Sequence, residues 1–164
     1  MCHWQHGCGT PDYRVAGSHG GNGGRTTSDL MYGSTFEPVT PGSPGGKTVG
    51  GSALRLDADT LILDGVIDMD GESSGSGGGG SGGSVWVTTR MLQGSSSGAT
   101  IRARGGDGTG YSSSYYSGVY TGSGGGGGGR VAVYCVESQH ASTYRGFGGV
   151  PSLQTQGGSG RLSD

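Results

Sequence analysis

The stretch Gly77-Gly78-Gly79-Gly80-Ser81-Gly82-Gly83-Ser84-Val85-Trp86-Val87-Thr88-Thr89 decides the fold. A glycine run leads directly into a short apolar alternation. The same succession returns as Gly124 to Gly129 followed by Arg130-Val131-Ala132-Val133-Tyr134-Cys135. Forty-two of the 164 residues are glycine, so the element dominates the chain. Glycine that recurs at one place in a repeating unit marks sites where backbone passes close to backbone, or turns with φ > 0, with no room for a Cβ. The arrangement predicts stacked, coiled β-structure.

Other strand signals surround this one. Leu54-Arg55-Leu56-Asp57-Ala58 alternates, as do Leu61-Ile62-Leu63 and Val66-Ile67-Asp68-Met69. Met91-Leu92 and Thr100-Ile101-Arg102-Ala103 follow. Helix signals are nearly absent, because glycine interrupts every window that would hold an i, i+3, i+4 apolar spacing. Aligned on itself, the chain shows a loose repeat with units of about 31 and about 46 residues, the excess falling in the loop 107–123. Unequal units with one strand order predict stacked coils with insertions on one side. The expected fold is all-β: a short-stranded parallel β-solenoid, β-helix-like, with glycine-rich loops or polyproline-II-like segments. A sandwich of polyglycine-II helices would need a longer uninterrupted glycine periodicity than the chain has.

Residues 1–50 read as a cap and lead-in, since Pro38, Pro41 and Pro44 pre-set φ and exclude a central strand. Residues 51–164 read as the coils, with the long loop 107–123 and a partial terminal coil over 147–164, all in one structural domain. A terminal coil leaves a raw strand edge, which invites pairing with another chain.

Composition narrows the function. Leu, Ile, Val and Phe make up roughly 15% of the chain, below the level of about 20% at which disorder becomes a serious reading. A net charge of −2 gives no self-repulsion to hold the chain open, and the apolar residues cluster. Ten Lys and Arg against twelve Asp and Glu leave no basic footprint for nucleic acid. No apolar run is long enough for a membrane-spanning helix. The start of the chain, Met1-Cys2-His3-Trp4-Gln5-His6, carries no secretory signal.

Several groups bear on chemistry. Asp68, Asp70 and Glu72 share a strand face and are the hard oxygen ligands that could hold Ca²⁺. Asp68-Met69-Asp70-Gly71-Glu72 does not fit an EF-hand loop, and the alternative is a solvated face that blocks edge pairing. The same three carboxylates are the set available for acid–base chemistry, with Arg55, Arg102 and Arg104 on a neighbouring face. Cys2 and Cys8 can close a small disulfide loop or, with His3 and His6, hold a soft metal. Cys135 ends an apolar strand and reads as a small buried hydrophobe. Tyr111, Tyr115, Tyr116 and Tyr120 lie among serines in the long loop and form a candidate binding or interface surface, because tyrosine rings stack on sugar faces. Trp86 alternates with Val85 and Val87 and so faces away from them. The glycine runs are not phosphate loops, since no Gly-Lys-Ser/Thr follows.

The order of landmarks resembles a glycine-rich domain of very large secreted or surface proteins of protists, algae, some invertebrates and bacteria. The matching pieces are Ser18-His19-Gly20-Gly21-Asn22-Gly23-Gly24, Tyr32-Gly33-Ser34, Glu37-Pro38, Pro41-Gly42-Ser43-Pro44-Gly45-Gly46 and Gly50-Gly51-Ser52-Ala53-Leu54-Arg55-Leu56. The more telling ones are Gly79-Gly80-Ser81-Gly82-Gly83-Ser84-Val85-Trp86-Val87, Ile101-Arg102-Ala103-Arg104-Gly105-Gly106-Asp107-Gly108, and Gly124 to Gly129 with Arg130-Val131-Ala132-Val133-Tyr134. Met1 to Cys8 and the weak strand around Leu162 depart from the pattern. The resemblance implies one brick among many, structural or adhesive, with no catalytic residues to carry over. The expected function is that of a non-enzymatic extracellular or cell-surface structural subunit. Its expected partners are copies of itself or neighbouring domains, with glycans as a further class. A carbohydrate-binding adhesin module using the tyrosine loop is the alternative, followed by a polysaccharide-active enzyme.

Overall fold

A computed structural model describes residues 13–26, 31–93, 99–110, 122–135, 152–158 and 160–162. Eight strands form among them, with no helix: β1 (Ala53–Ile62), β2 (Val66–Asp68), β3 (Ser84–Gln93), β4 (Thr100–Arg102), β5 (Gly108–Gly110), β6 (Arg130–Cys135), β7 (Ser152–Gln154) and β8 (Gly160–Leu162). The molecule is all-β. Its strands are parallel and lie in three sheets, ordered β1-β3-β6, β2-β4-β7 and β5-β8.

The register follows the sequence repeat. Ala53 pairs with Ser84, an offset of 31 residues. Ser84 pairs with Arg130, an offset of 46 residues. Parallel strands need a crossover between them, and here the second and third sheets supply it. β1 and β3 are each 10 residues long, longer than the separate runs seen in sequence. Leu61 and Ile62 continue β1, and Met91 and Leu92 continue β3, because the intervening residues still pair: Asp57 with Thr88, Ala58 with the buried Thr89, and Thr60 with Met91. Gly108–Gly110, inside the expected loop 107–123, is a strand and pairs with Gly160–Leu162.

The core is small. Val85 and Val87 from β3 and Ile101 from β4 are fully buried and form its centre. Leu56, Leu61, Leu63, Ile67, Met69, Val131 and Val133 pack around them.

The glycine runs build a second layer of order. Gly79 and Gly82 donate to the carbonyls of Gly124 and Gly127 at 3.0 and 2.9 Å. Gly80 and Gly83 donate to Glu72 and Met69 at 2.9 and 2.8 Å. Gly78 and Ser81 turn to a third side, toward Tyr13 and Ser43. Gly124 and Gly127 in turn donate to Arg14 and Gly17, and Gly126 and Gly129 to Gly106 and Ala103. Each neighbour is met at every third residue, which is the periodicity of a threefold extended helix. Such a helix has no internal hydrogen bonds, so every amide is free to bond sideways. No long glycine run is needed, since segments distant in sequence supply the neighbours. Close approach, rather than turning, is what demands glycine here. Among the described residues Gly33, with φ 84°, and Arg25, with φ 63°, occupy the left-handed region. At Gly80, by contrast, an added Cβ would sit 2.7 Å from the Val49 carbonyl carbon and closer still to its oxygen.

The lead-in is woven into both layers. Gly17, Gly20 and Gly24 donate to Gly79, Gly128 and Gly125. Residues 31–40 then cross β3 and β6. Ser84 Oγ donates to Thr40 O, Arg130 Nε to Tyr32 O, and the Tyr134 hydroxyl to Phe36 O.

Candidate functional site

The two strand edges of the long sheet are its most distinctive surface. Among the described residues the order β1-β3-β6 pairs β1 and β6 each on one side. Burial follows that order. Along β3 the inward residues Val85, Val87, Thr89 and Leu92 are buried. In β1 no residue reaches that class, although Leu54, Leu56 and Leu61 occupy the matching register positions or face. Ile67 and Met69 of the next sheet are also half-buried. Ile62 and Val66 are 61% and 52% exposed. The β1–β2 end therefore presents a layer of aliphatic side chains with nothing stacked on it among the described residues. At the other end Val131 and Val133 of β6 are half-buried as well.

Ion pairs join the outward faces of the two sequence repeats. The first repeat contributes Asp59, Asp68 and Asp70, and the second contributes Arg90, Arg102 and Arg104, while Arg55 pairs with Asp57 within β1. Arg90 Nε and Nη2 donate to the two carboxylate oxygens of Asp59 at 2.7 and 2.9 Å. Arg102 Nη2 bonds Asp68 Oδ2. Asp70 accepts from the Arg104 backbone N–H at 2.6 Å and from Arg104 Nε at 2.9 Å. The Arg90 hydrogen bond holds the Asp59 carboxyl below the usual range. The Arg102 hydrogen bond does the same for Asp68, against the opposing effect of partial burial. Asp68 also receives the Asp70 backbone N–H at 3.0 Å. Glu72 turns elsewhere and accepts the Val49 N–H at 3.0 Å. The three carboxylates singled out for Ca²⁺ thus have separate protein partners, and no cluster of three candidate metal ligands occurs among the described residues.

Beside Asp70 and Arg104 a polar groove of about 310 Å³ opens, lined also by Ser73, Asp107 and Gln156 and by glycine backbone. Trp86 lies half-buried on the outward face of β3, with the Arg55 guanidinium over its ring at 4.1 Å. Its Nε1 is buried without a hydrogen-bond partner. Tyr111, Tyr115, Tyr116, Tyr120, Cys2 and Cys8 lie outside the described residues. Cys135 is exposed, not buried: it closes β6, the last strand of the long sheet among the described residues.

His19, which the sequence shows only as part of a glycine-rich stretch, has a defined place. It is fully buried. Nδ1 lies 2.8 Å from Gly82 O and Nε2 lies 3.0 Å from Thr40 Oγ1, so the ring ties the glycine layer to the lead-in. Tyr32 stacks on it at 4.7 Å. Burial pushes its pKa below 6.5, with Arg130 adding to the effect and the Gly82 carbonyl opposing it. The pairing of Asp68 with Arg102 and of Asp70 with Arg104 was also missed. Each pair is separated by 34 residues, so aligning the second strands of the two units would have revealed it.

Comparison with protein-family models, curated proteins and solved structures finds no match. No helix among the described residues is long and apolar enough to cross a membrane.

Proposed function

We propose that the chain is a non-enzymatic structural subunit of an extracellular filament, matrix or surface appendage, assembling through its ends and exposed faces. In this reading the three sheets are the faces of a short parallel β-solenoid, and one turn of chain visits each face in order. The observation that carries the proposal is the pair of strands, β1 and β6, that are one-sided among the described residues, each backed by half-buried aliphatic side chains. Unpaired edges of this kind are a template for another chain, and monomers ordinarily blunt them. The interior supports a passive role. It is held by dense backbone hydrogen bonding and offers little apolar volume for a ligand. The carboxylates most suited to acid–base work, Asp68 and Asp70, are engaged by guanidinium groups. The resemblance to secreted glycine-rich domains points the same way.

Sedimentation velocity over a range of protein concentrations tests the proposal. Species that grow with concentration are expected. A single monomer boundary at every concentration would overturn it.

One observation favours a second reading, a carbohydrate-binding module. The groove at Asp70, Ser73, Arg104, Asp107 and Gln156 offers carboxylate, hydroxyl, guanidinium and amide groups to a polar ligand. Glycan-array binding that disappears in Ser73→Ala and Gln156→Ala would support that reading over assembly.

A further inference from the structure

We infer that the partner of the β1 edge is the β6 edge of a second copy, added in parallel and in the register already used inside the molecule. The inference rests on the assembly reading and specifies its interface. Within the chain, Leu56 pairs with Val87 and Val87 with Val133, so one row of the inward face is aliphatic across three strands. Leu54, Val85 and Val131 make a second such row. A second copy displaced along the stack sets its own Leu54 beside Val131 and its Leu56 beside Val133. Both aliphatic rows then run on without a break, and the half-buried layers at the two ends cover each other.

The outward rows agree. Arg55 of the added copy falls beside Ala132, and Asp57 beside Tyr134, by the same register. In the second sheet its Asp68 falls beside the Gln154 position. Among the described residues no two like charges fall directly opposite one another. The competing arrangement, β1 against β1, covers Leu54 and Leu56 but leaves the half-buried Val131 and Val133 of β6 without a covering copy. β6 as the occupant covers both layers with one interface, in the register the molecule already uses. An interface between two different surfaces of the same chain does not close on itself when the copies are related by translation, and it yields an open filament.

The native Cys135 reports on this register. Ala58 pairs with Thr89, and Thr89 with Cys135, so residue 58 of the added copy lies directly beside Cys135. Neighbouring strands stand about 4.8 Å apart, which lies within the Cα separation that a disulfide spans. The experiment is Ala58→Cys in a full-length chain carrying Cys2→Ser and Cys8→Ser, oxidised after assembly and run without reductant. The expected result is a ladder of covalent oligomers that collapses to monomer when Cys135→Ser is added. Dimers that persist in Cys135→Ser would show β1 facing β1 and overturn the inference. Unmodified chain gives an independent readout, since three strands per long sheet fix the axial rise at about 14 Å per subunit. Polymers with a different rise and no ladder would overturn this interface while leaving the assembly reading standing. No polymers of any kind would overturn both.

Discussion

Gly80→Ala should unfold or severely weaken the protein, although it adds one methyl group. The new Cβ would lie 2.7 Å from the Val49 carbonyl carbon and 3.2 Å from Gly50 N. Carbon atoms in contact rest at about 3.5–4.0 Å, so the two segments must part by roughly 1 Å. That separation acts on two hydrogen bonds made by the same residue, Gly80 N to Glu72 O at 2.9 Å and Gly106 N to Gly80 O at 2.8 Å. Each bond contributes about 1 kcal/mol net, and a buried polar group left unpaired costs about 1–3 kcal/mol. With overpacking included, the expected loss is about 3–5 kcal/mol. For a domain of this size that lowers the Tm by roughly 10 °C or more. Gly65→Ala is the matched control. Nothing lies within 4 Å of its added Cβ and its φ is not in the left-handed region. It should be neutral or stabilise by about 0.4–1 kcal/mol, because alanine restricts the unfolded chain. Thermal melts followed by circular dichroism compare the three proteins. A Gly80→Ala protein melting within about 2 °C of Gly65→Ala would refute the close-packed backbone array.

Other perturbations separate the remaining features. His19 is held neutral by burial, with its pKa below 6.5, whereas the unfolded chain takes up the proton near that value. Its contribution to stability is therefore complete above pH 6.5 and declines as pH falls toward the folded-state pKa, by at most about 1.4 kcal/mol per pH unit. Urea midpoints at pH 7.5 and 5.5 should differ more in the wild type than in His19→Gln, and equal differences would count against a buried neutral ring. Asp70→Ala leaves the Arg104 backbone N–H without its acceptor and removes the carboxylate shared by Arg102 and Arg104, so a loss of about 1–2 kcal/mol is expected from denaturant titration. Asp59→Ala removes a surface pair whose carboxylate is largely exposed, and its midpoint should stay within experimental error. Adding Ca²⁺ to the wild type should raise the Tm no more than equal Mg²⁺ does, because Asp68, Asp70 and Glu72 are already partnered by protein groups. A calcium-specific rise would restore the metal reading.

The strand positions were legible because alternation and β-branched side chains survive in short runs. Val85-Trp86-Val87 and Val131-Ala132-Val133 align at the sequence offset that the sheet then uses. The length of β1 was less legible, since Asp59-Thr60 reads as a polar break, yet Thr60 pairs with Met91 and the strand runs on to Ile62. The threefold bonding of the glycine layer was hidden for a different reason. A run such as Gly77 to Gly80 shows no period of its own, and its partners at Tyr13, Glu72 and Gly124 belong to separate segments. β5 was hidden because Gly108-Thr109-Gly110 carries no apolar signal, and only its neighbour β8 makes it a strand. The acidic cluster was found, while its pairing required placing the second repeat's arginines beside it. His19 gave no signal beyond its glycine-rich setting, since burial of one imidazole depends on how the lead-in returns over the sheet.

The most direct test of the account is fibre diffraction from concentrated, aligned material carrying this chain. Parallel strands stacked end to end predict a meridional reflection near 4.8 Å along the fibre axis. Filaments whose strand spacing lies across the axis, or monodisperse particles that never align, would contradict it.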